Sequence, residues 1–328
     1  MKPSRVFDVL VKLVDTNWPA FVWGPPGVGK SAVVRSVANE RNRSVIDIRA
    51  NLLDPTDIRG IPYVSENVAR WSPPNFLPKH GSGPGILFFD ELSSAPPLVQ
   101  ASLYQLTLDR KVGEYTLPDN WSIVAAGNRI QDGSIAFRMP SALSNRFVHL
   151  DFDVDFEDWR DWATTKSINP LIVAFLSVRR HLLFDFSVNV RAFPSPRSWE
   201  IVSDIVVKFK DLKDAEDVLY GVIGEGATIE LLSFLKDSRI SQIFKKLIEN
   251  PESALIPERL DLKFALISYL VSSLSDDRVL SATRIILKRV EPEVGMVLVR
   301  DMLRLRPKSA SLPEVLEFIG KHKFDITL

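Results

Sequence analysis

The chain has 328 residues, of which 45% are apolar and 25% charged, as is usual for a globular protein with an ordinary buried core. Basic and acidic residues are equal in number, so no overall charge draws the chain toward nucleic acid or an acidic membrane. Cysteine is absent, which excludes disulfides, thiolate metal sites and cysteine nucleophiles and is typical of a reducing compartment. Apolar stretches such as residues 171–178 are far shorter than the roughly 20 residues of a membrane span. We therefore expect a cytoplasmic protein without a membrane segment.

A glycine-rich segment, residues 24–31, follows a predicted helix over residues 4–17 and a predicted apolar strand over residues 20–23. It matches the phosphate-binding pattern G-x-x-x-x-G-K-S/T. Its four fixed positions are Gly24, Gly29, Lys30 and Ser31. The spacing of residues 31–38 predicts a helix directly after it. A loop between a strand and a helix is the context that this pattern requires, so the segment is predicted to bind a nucleotide.

The residue types of this loop suit ATP bound with Mg²⁺. Glycines let backbone N–H groups surround phosphate oxygens, and the first turn of the following helix adds unpaired donors. Lys30 is expected to reach the β- and γ-phosphates, and the Ser31 hydroxyl to ligate the metal. The predicted nucleotide-binding residues are Gly24, Pro25, Pro26, Gly27, Val28, Gly29, Lys30, Ser31, Ala32 and, from a later strand, Asp90.

The segment 51–85 separates a second predicted strand, residues 44–48, from a third. It contains six prolines and is much longer than the usual connection of about 2–6 residues. It is either an idle surface excursion or an insertion that contacts a partner or substrate.

Two acidic residues end the third predicted strand, in which residues 86–89 are all apolar. Such a strand is buried and delivers its last side chains to the edge where open α/β sheets bind ligands. Asp90 is predicted to hold Mg²⁺ together with Ser31, and Glu91 to polarise the attacking water.

A fourth predicted strand, residues 121–126, follows a helix at 95–108 and a hairpin around Gly113. Asn128 comes just after this strand, where it orients a water near the γ-phosphate or forms an Asx turn. Arg146 lies between a short helix and a fifth strand, where a single arginine is usually a solvated or paired surface residue. Strands alternating with helices predict an α/β fold with a five-stranded parallel sheet.

The pattern becomes almost entirely helical from Phe156, so a domain boundary is expected near residues 153–155. Arg197 lies at the N-terminus of one of these helices. That end of a helix is electropositive and disfavours an arginine unless an anion is nearby. The later helices are predicted to be separated near residues 221–226, 250–257 and 306–313.

The order of these features resembles the AAA+ ATPases, in particular the MoxR-type and dynein-related branch with its stand-alone bacterial and phage ATPases. The resemblance covers roughly residues 18–235. Its most specific parts are residues 24–31, 88–91 with the following Ala95-Pro-Pro, 127–128, 143–147 and 195–197. It implies an AAA+ core over residues 1–153, a helical lid over 154–235 and a C-terminal helical extension over 236–328, which itself shows no resemblance.

The resemblance also implies roles for single residues. Residues 24–31 become the Walker A loop and Asp90 and Glu91 the Walker B acids. Asn128 becomes sensor 1, Arg146 the arginine finger offered to a neighbouring subunit, and Arg197 sensor 2, acting on its own or a neighbour's nucleotide. Segments 51–85 and 111–121 correspond to insertions that face the ring pore in relatives.

This sequence departs from the family's pattern at two positions near these residues. Arg129 stands where relatives often have proline, and Asn145 where many have aspartate before the finger. The second departure bears on the Arg146 assignment, for which Arg138 is the other candidate.

Three functions are compatible with these features. The first, which the resemblance favours, is a hexameric ATP-hydrolysing ring with chaperone-like action on a protein partner; relatives often work with a von Willebrand A-type protein. The second is a nucleic-acid motor or loader, which the neutral charge and the proline-rich insertion disfavour. The third is a nucleotide-gated scaffold with little turnover, which the joint presence of Glu91, Asn128 and Arg146 disfavours.

Overall fold

The structure is a computed structural model, and it describes residues 1–132, 137–187, 190–209, 212–236 and 238–322. The chain divides into two compact units, Met1–Asp155 and Phe156–Leu328. The strands, all in the first unit, are in chain order β1 Ala20–Trp23, β2 Ser44–Arg49, β3 Ile61–Ser65, β4 Val68–Ser72, β5 Gly85–Asp90, β6 Lys111–Val112, β7 Tyr115–Thr116, β8 Trp121–Gly127 and β9 Val148–Asp151. The helices of this unit are α1 Pro3–Leu13, α2 Lys30–Glu40, α3 Pro55–Arg59, α4 Pro97–Asp109 and α5 Ser141–Ser144.

The centre of the first unit is a five-stranded parallel sheet in the order β2-β5-β8-β1-β9. Every residue of β5 and β8 is buried, which explains their unbroken apolar character in the sequence. Because parallel strands end at the same edge, β1, β5 and β8 bring Gly24, Asp90 and Asn128 to one side of the sheet. The predicted α/β fold with a five-stranded parallel sheet is confirmed.

The second unit consists of helices in the part of the chain that the structure describes. They are α6 Phe156–Thr165, α7 Pro170–Val178, α8 Pro196–Lys208, α9 Leu212–Lys236, α10 Ser238–Glu249, α11 Leu260–Ser272, α12 Asp277–Leu287, α13 Pro292–Leu305 and α14 Pro313–His322. Ala174 of α7 shares a buried cluster with Phe244 of α10 and Leu266 of α11. Helices on both sides of residue 235 therefore share one core, and the predicted division there into lid and extension stays a prediction.

A buried ion pair joins the first helix of this unit to one of its last. Arg160 of α6 donates to Asp301 of α13 over 2.8 Å, and the two side chains are 4% and 2% exposed. Arg304 of α13 pairs with Asp161 and Glu157 of α6 at 2.7 and 3.1 Å. Burial raises the pKa of Asp161, although the nearby Arg304 opposes that shift.

One helical stretch of the described chain, Asp214–Leu235, is long and apolar enough by length and composition to cross a membrane, and 33% of its apolar window is buried. Gly224 interrupts it with a non-helical backbone (φ 78°, ψ 168°). Each half then rises only about 15 Å, half the thickness of a bilayer core.

Candidate nucleotide site

The predicted phosphate loop lies between β1 and α2, at the carboxyl edge of the sheet. Gly27 and Gly29 have φ of 77° and 107°, values that side-chain-bearing residues rarely adopt. Gly29 caps α2 without any side-chain hydrogen bond to the first turn. A helix N-terminus that follows such a loop is the usual place for a bound phosphate.

Gly24 fixes the beginning of the loop against the rest of the sheet. Its N–H donates to the carbonyl of Gly127 at the end of β8 over 3.2 Å. A Cβ at this position would lie 2.8 Å from the carbonyl oxygen of Phe152, which follows β9. Only glycine allows the loop to start this close to both neighbouring strands.

Lys30 connects the loop to the end of β8. The residue is 9% exposed. Its ammonium group donates to the carbonyls of Gly24 and Pro25 at 2.7 and 2.8 Å. It also donates to Oδ1 of Asn128 at 2.8 Å. The structure thus brings together the predicted phosphate-binding lysine and the predicted sensor.

Asp90 connects three elements at the same edge. Its Oδ2 accepts from the Ser31 hydroxyl at 2.7 Å and from Nη1 of Arg49 at 2.6 Å, and its Oδ1 accepts from the N–H of Glu91 at 2.9 Å. Ser31 and Asp90 together present hydroxyl and carboxylate oxygens, the ligand types that Mg²⁺ prefers. This donor set fits Mg²⁺, which Ser31 and Asp90 would hold beside the phosphate loop.

Glu91 has an unusual backbone for its residue type, with φ 58° and ψ 30°. Left-handed geometry in a non-glycine residue is uncommon and concentrates at functional sites. Its Oε2 accepts from the Asn51 side-chain amide at 2.6 Å, while Oε1 lies 3.9 Å from Arg49 Nη1. The carboxylate is therefore held by the end of β2 and the short turn after it.

Asn128 is anchored through both its side chain and its backbone. Its N–H donates to the hydroxyl of Ser93 at 3.0 Å, while its Oδ1 accepts from Lys30. The turn after β5, which contains Ser93, therefore orients the residue that follows β8. The Asn128 side chain therefore contacts the predicted phosphate-binding lysine.

Two of the three predicted arginines, Arg146 and Arg138, belong to the same unit as this cluster but take no part in the contacts described above. Arg146 follows α5, where its guanidinium carbon lies 4.0 Å from the ring centre of Tyr104 on α4 and it donates to the carbonyl of Ala142. Arg138, the other candidate for the finger, is exposed. Arg197 belongs to the second unit, exposed in the first turn of α8 after a Ser195–Ser198 capping box.

Sequence reasoning missed three residues that contact the predicted ones. Arg49, Asn51 and Ser93 belong to none of the motifs described above. The signal for Arg49 was its strand position, since it pairs in register with Asp90 across β2 and β5. That signal can be read only when the strand order is known.

The insertion of residues 51–85 contains α3 and an antiparallel hairpin, β3–β4. Five large apolar side chains of the hairpin are 38–77% exposed: Ile61, Tyr63, Val64, Val68 and Trp71. The hydroxyl of Tyr115 on the second hairpin, β6–β7, donates to the carbonyl of Pro78 at 2.6 Å. Burial raises the pKa of Tyr115 to about 12, so this donor stays protonated at neutral pH.

The chain matches a known family, the AAA domain of the dynein-related subfamily, over residues 19–147. It is 29% identical over 155 residues to MoxR of Methylorubrum extorquens, which covers 44% of this chain and 43% of MoxR. It is 39% identical over 82 residues to an AAA domain-containing protein of Schizosaccharomyces pombe, covering 25% of this chain and 10% of that protein. The match thus spans less than half the length of either relative.

Solved structures with a similar chain course include NtrX of Brucella abortus in complex with ATP. Its TM-score is 0.45 at 14% identity, covering 94% of this chain and 68% of NtrX. The RuvB Holliday junction branch migration motor of Thermotoga maritima has a TM-score of 0.39 at 15% identity, covering 82% of this chain and 80% of RuvB. Similarities this weak support no argument about function. The family match over residues 19–147 and the similarity to MoxR confirm the predicted resemblance to the MoxR-type and dynein-related AAA+ ATPases.

Proposed function

We propose that this chain is a Mg²⁺-dependent ATP hydrolase that works as a hexameric ring and remodels or activates a protein partner in the cytoplasm. The observation that carries the proposal is the set of contacts at one sheet edge. Lys30 contacts Asn128, and Ser31 contacts Asp90, each within 2.8 Å. Phosphoryl transfer to water needs positioned charges more than covalent chemistry, and these residues supply them.

Each residue of the cluster has a proposed role. The α2 N-terminus and Lys30 bind the phosphates, while Ser31 and Asp90 hold Mg²⁺, which neutralises phosphate charge when bound. Glu91 orients and polarises the water, and Asn128 positions it near the γ-phosphate. The side-chain amide of Asn51 donates a hydrogen bond to the Glu91 carboxylate and so fixes its orientation.

The proposed ring rests on Arg146. An arginine supplied by a neighbour is worth on the order of 10³–10⁵ in rate in related phosphoryl transfers. Within its own chain Arg146 contacts Tyr104 and Ala142 rather than the Lys30 cluster, as expected of a residue that serves another subunit's nucleotide. We assign Arg197 to the nucleotide as well, in its own or the neighbouring subunit.

The proposed partner is a protein because of the β3–β4 hairpin. Its exposed side chains are mainly apolar, and its arginine, Arg70, lies 4.0 Å from Glu66. A nucleic-acid track would need a row of cations. Added single-stranded DNA is therefore expected to leave the ATPase rate unchanged, and a several-fold, salt-sensitive stimulation would instead support the nucleic-acid motor.

Two variants test the catalytic assignment. Lys30→Ala is expected to abolish binding of a fluorescent ATP analogue, because it removes the cation at the phosphates. Glu91→Gln is expected to bind the analogue normally but to hydrolyse ATP at least about 10²-fold more slowly, because the water loses its base.

The controls are Lys308→Ala and Glu252→Gln, which make the same chemical changes at exposed positions of the second unit. Both are expected to behave as the wild type. Wild-type affinity in Lys30→Ala would reject the loop as the nucleotide site, and undiminished turnover in Glu91→Gln would reject Glu91 as the base.

A further inference from the structure

Four rings lie together on one face of the neighbouring strands β1 and β9. Phe21 and Trp23 of β1 stack with ring centres 4.0 Å apart. His149 of β9 pairs in register with Phe21, and its ring centre is 6.0 Å from that of Trp23. Phe147 meets Phe21 edge-on at 5.4 Å. His149 is exposed as a residue, and one side of its imidazole lies against the strand that leads into the phosphate loop.

Both ring nitrogens of His149 have hydrogen-bond partners on different elements. Nδ1 lies 2.8 Å from the indole nitrogen of Trp23, and Nε2 lies 2.9 Å from the carbonyl oxygen of Ser144. An indole N–H only donates and a carbonyl only accepts. Nδ1 is therefore the acceptor, and Nε2 carries the proton and donates it to Ser144. The two partners together select one neutral tautomer.

The two partners of His149 stand next to two functional elements. Trp23 is the last residue of β1 and directly precedes Gly24 of the phosphate loop. Ser144 is the last residue of α5, two positions before Arg146. One imidazole therefore bridges the start of the phosphate loop and the end of the helix that carries the proposed finger.

We propose that His149 is a positioning residue that sets α5, and with it Arg146, relative to the phosphate loop of the same subunit. The inference rests on the proposed function, in which Arg146 serves the neighbouring subunit's nucleotide. A shift of the loop at one site is then transmitted through Trp23, His149 and Ser144 to the finger at the next site. His149 thereby links neighbouring active sites in the ring.

Substitutions of His149 can remove its hydrogen bonds to Trp23 and Ser144 separately. Asparagine places an oxygen near the Nδ1 position and keeps an acceptor for Trp23. Glutamine places an amide near the Nε2 position and keeps a donor for Ser144. Phenylalanine retains an aromatic ring but loses both hydrogen bonds.

The first readout is spectroscopic and independent of activity. In ¹⁵N-labelled protein the indole N–H resonance of Trp23 is assigned by its loss in Trp23→Phe. His149→Phe and His149→Gln are expected to move this resonance, because the acceptor is gone, while His149→Asn moves it less. An unmoved resonance in His149→Phe overturns the proposed contact.

The second readout separates donor from acceptor subunits. Lys30→Ala subunits bind no nucleotide but offer a finger, and Arg146→Ala subunits bind nucleotide but offer none. Mixing them is expected to restore hydrolysis at shared interfaces. Adding His149→Phe to the Lys30→Ala subunits is expected to lower the kcat of the mixture about three- to tenfold. This is the change in rate that the free energy of one net hydrogen bond produces. The KM for ATP is expected to stay unchanged. His181→Phe in the same subunits, at an exposed histidine of the second unit, is the matched control.

The outcomes separate this inference from the proposed function. If the mixture without a His149 change hydrolyses no ATP, the finger supplied by a neighbour is wrong and the inference falls with it. The other outcome is that this mixture is active and Lys30→Ala subunits with His149→Phe restore hydrolysis as well as those with His181→Phe. His149 is then only structural, and the inference alone is overturned. Where His149→Phe does not fold, His149→Asn and His149→Gln decide in its place, with intermediate kcat values expected.

Discussion

Single residues at the nucleotide site act through close contacts between different elements. Gly127 ends β8 beside the turn that follows β5, where a Cβ would lie 2.5 Å from Oγ and 2.8 Å from Cβ of Ser93. The same Ser93 hydroxyl accepts from the Asn128 N–H. The missing side chain at 127 thus lets Ser93 hold Asn128 in the position where Lys30 reaches it.

Gly127→Ala is expected to destabilise the first unit by about 1–3 kcal/mol, the usual cost of overpacking a dense interior. Gly320→Ala is the matched control, because a Cβ there meets no atom within 4 Å and the residue lies inside α14. That control is expected to be neutral or stabilising by up to about 1 kcal/mol. Chemical denaturation of both variants measures the difference, and equal stabilities would mean that the sheet edge tolerates a side chain at 127.

At this scale, the motif residues were predictable and their partners were not. The spacing of Gly24, Lys30 and Ser31 is visible in the sequence because it is local. Arg49 and Asn51 reach Asp90 and Glu91 from about 40 positions earlier in the chain, through a strand pairing that the sequence does not display. The roles of Glu91, Asn128, Arg146 and Arg197 stay proposals until the variants are measured.

Among the secondary-structure elements, too, those with a local sequence pattern were predictable and those without one were not. The central strands β1, β5 and β8 were predictable because buried parallel strands are mostly unbroken apolar runs. The edge strands β2 and β9 include exposed polar residues, and their signal was the alternation of strands with helices. The β3–β4 hairpin was not predicted, since its apolar residues are exposed and follow no core pattern. Its turn residues, Glu66 and Asn67, both have positive φ, yet glutamate is not a usual residue for such a turn.

The buried pair between α6 and α13 gives a prediction at the scale of elements. Asp301→Asn is expected to destabilise the second unit by about 1–3 kcal/mol, because the buried Arg160 loses the charge of one carboxylate partner and keeps the other, Glu157 at 2.8 Å. Replacing both partners, Arg160→Met with Asp301→Leu, is expected to recover much of that loss.

The control for the buried pair is Glu317→Gln, which breaks an exposed pair with Lys288 at 3.8 Å. It is expected to cost less than about 1 kcal/mol. Thermal unfolding of these variants checks the prediction, and similar effects for Asp301→Asn and Glu317→Gln would show that the buried pair does not stabilise this unit.

The two units differ in how far the sequence explains them. The change from alternating strands to helices indicated a boundary near residues 153–155, and the compact units divide at Asp155. The packing within the second unit was not predictable, because contacts such as Arg160–Asp301 join residues 141 positions apart. The end of the predicted extension, residues 323–328, lies outside the described residues.

The central claim concerns the assembled protein: ATP hydrolysis needs Lys30 and Glu91 from one subunit and Arg146 from the next. The most direct test is the ATPase rate per chain against protein concentration, with the mass of the species measured in parallel with and without ATP. The wild type is expected to show a rate per chain that rises with concentration as a hexamer appears, while Arg146→Ala assembles but stays slow. A rate per chain that is constant across concentrations, from a protein that remains monomeric in ATP, would contradict the account.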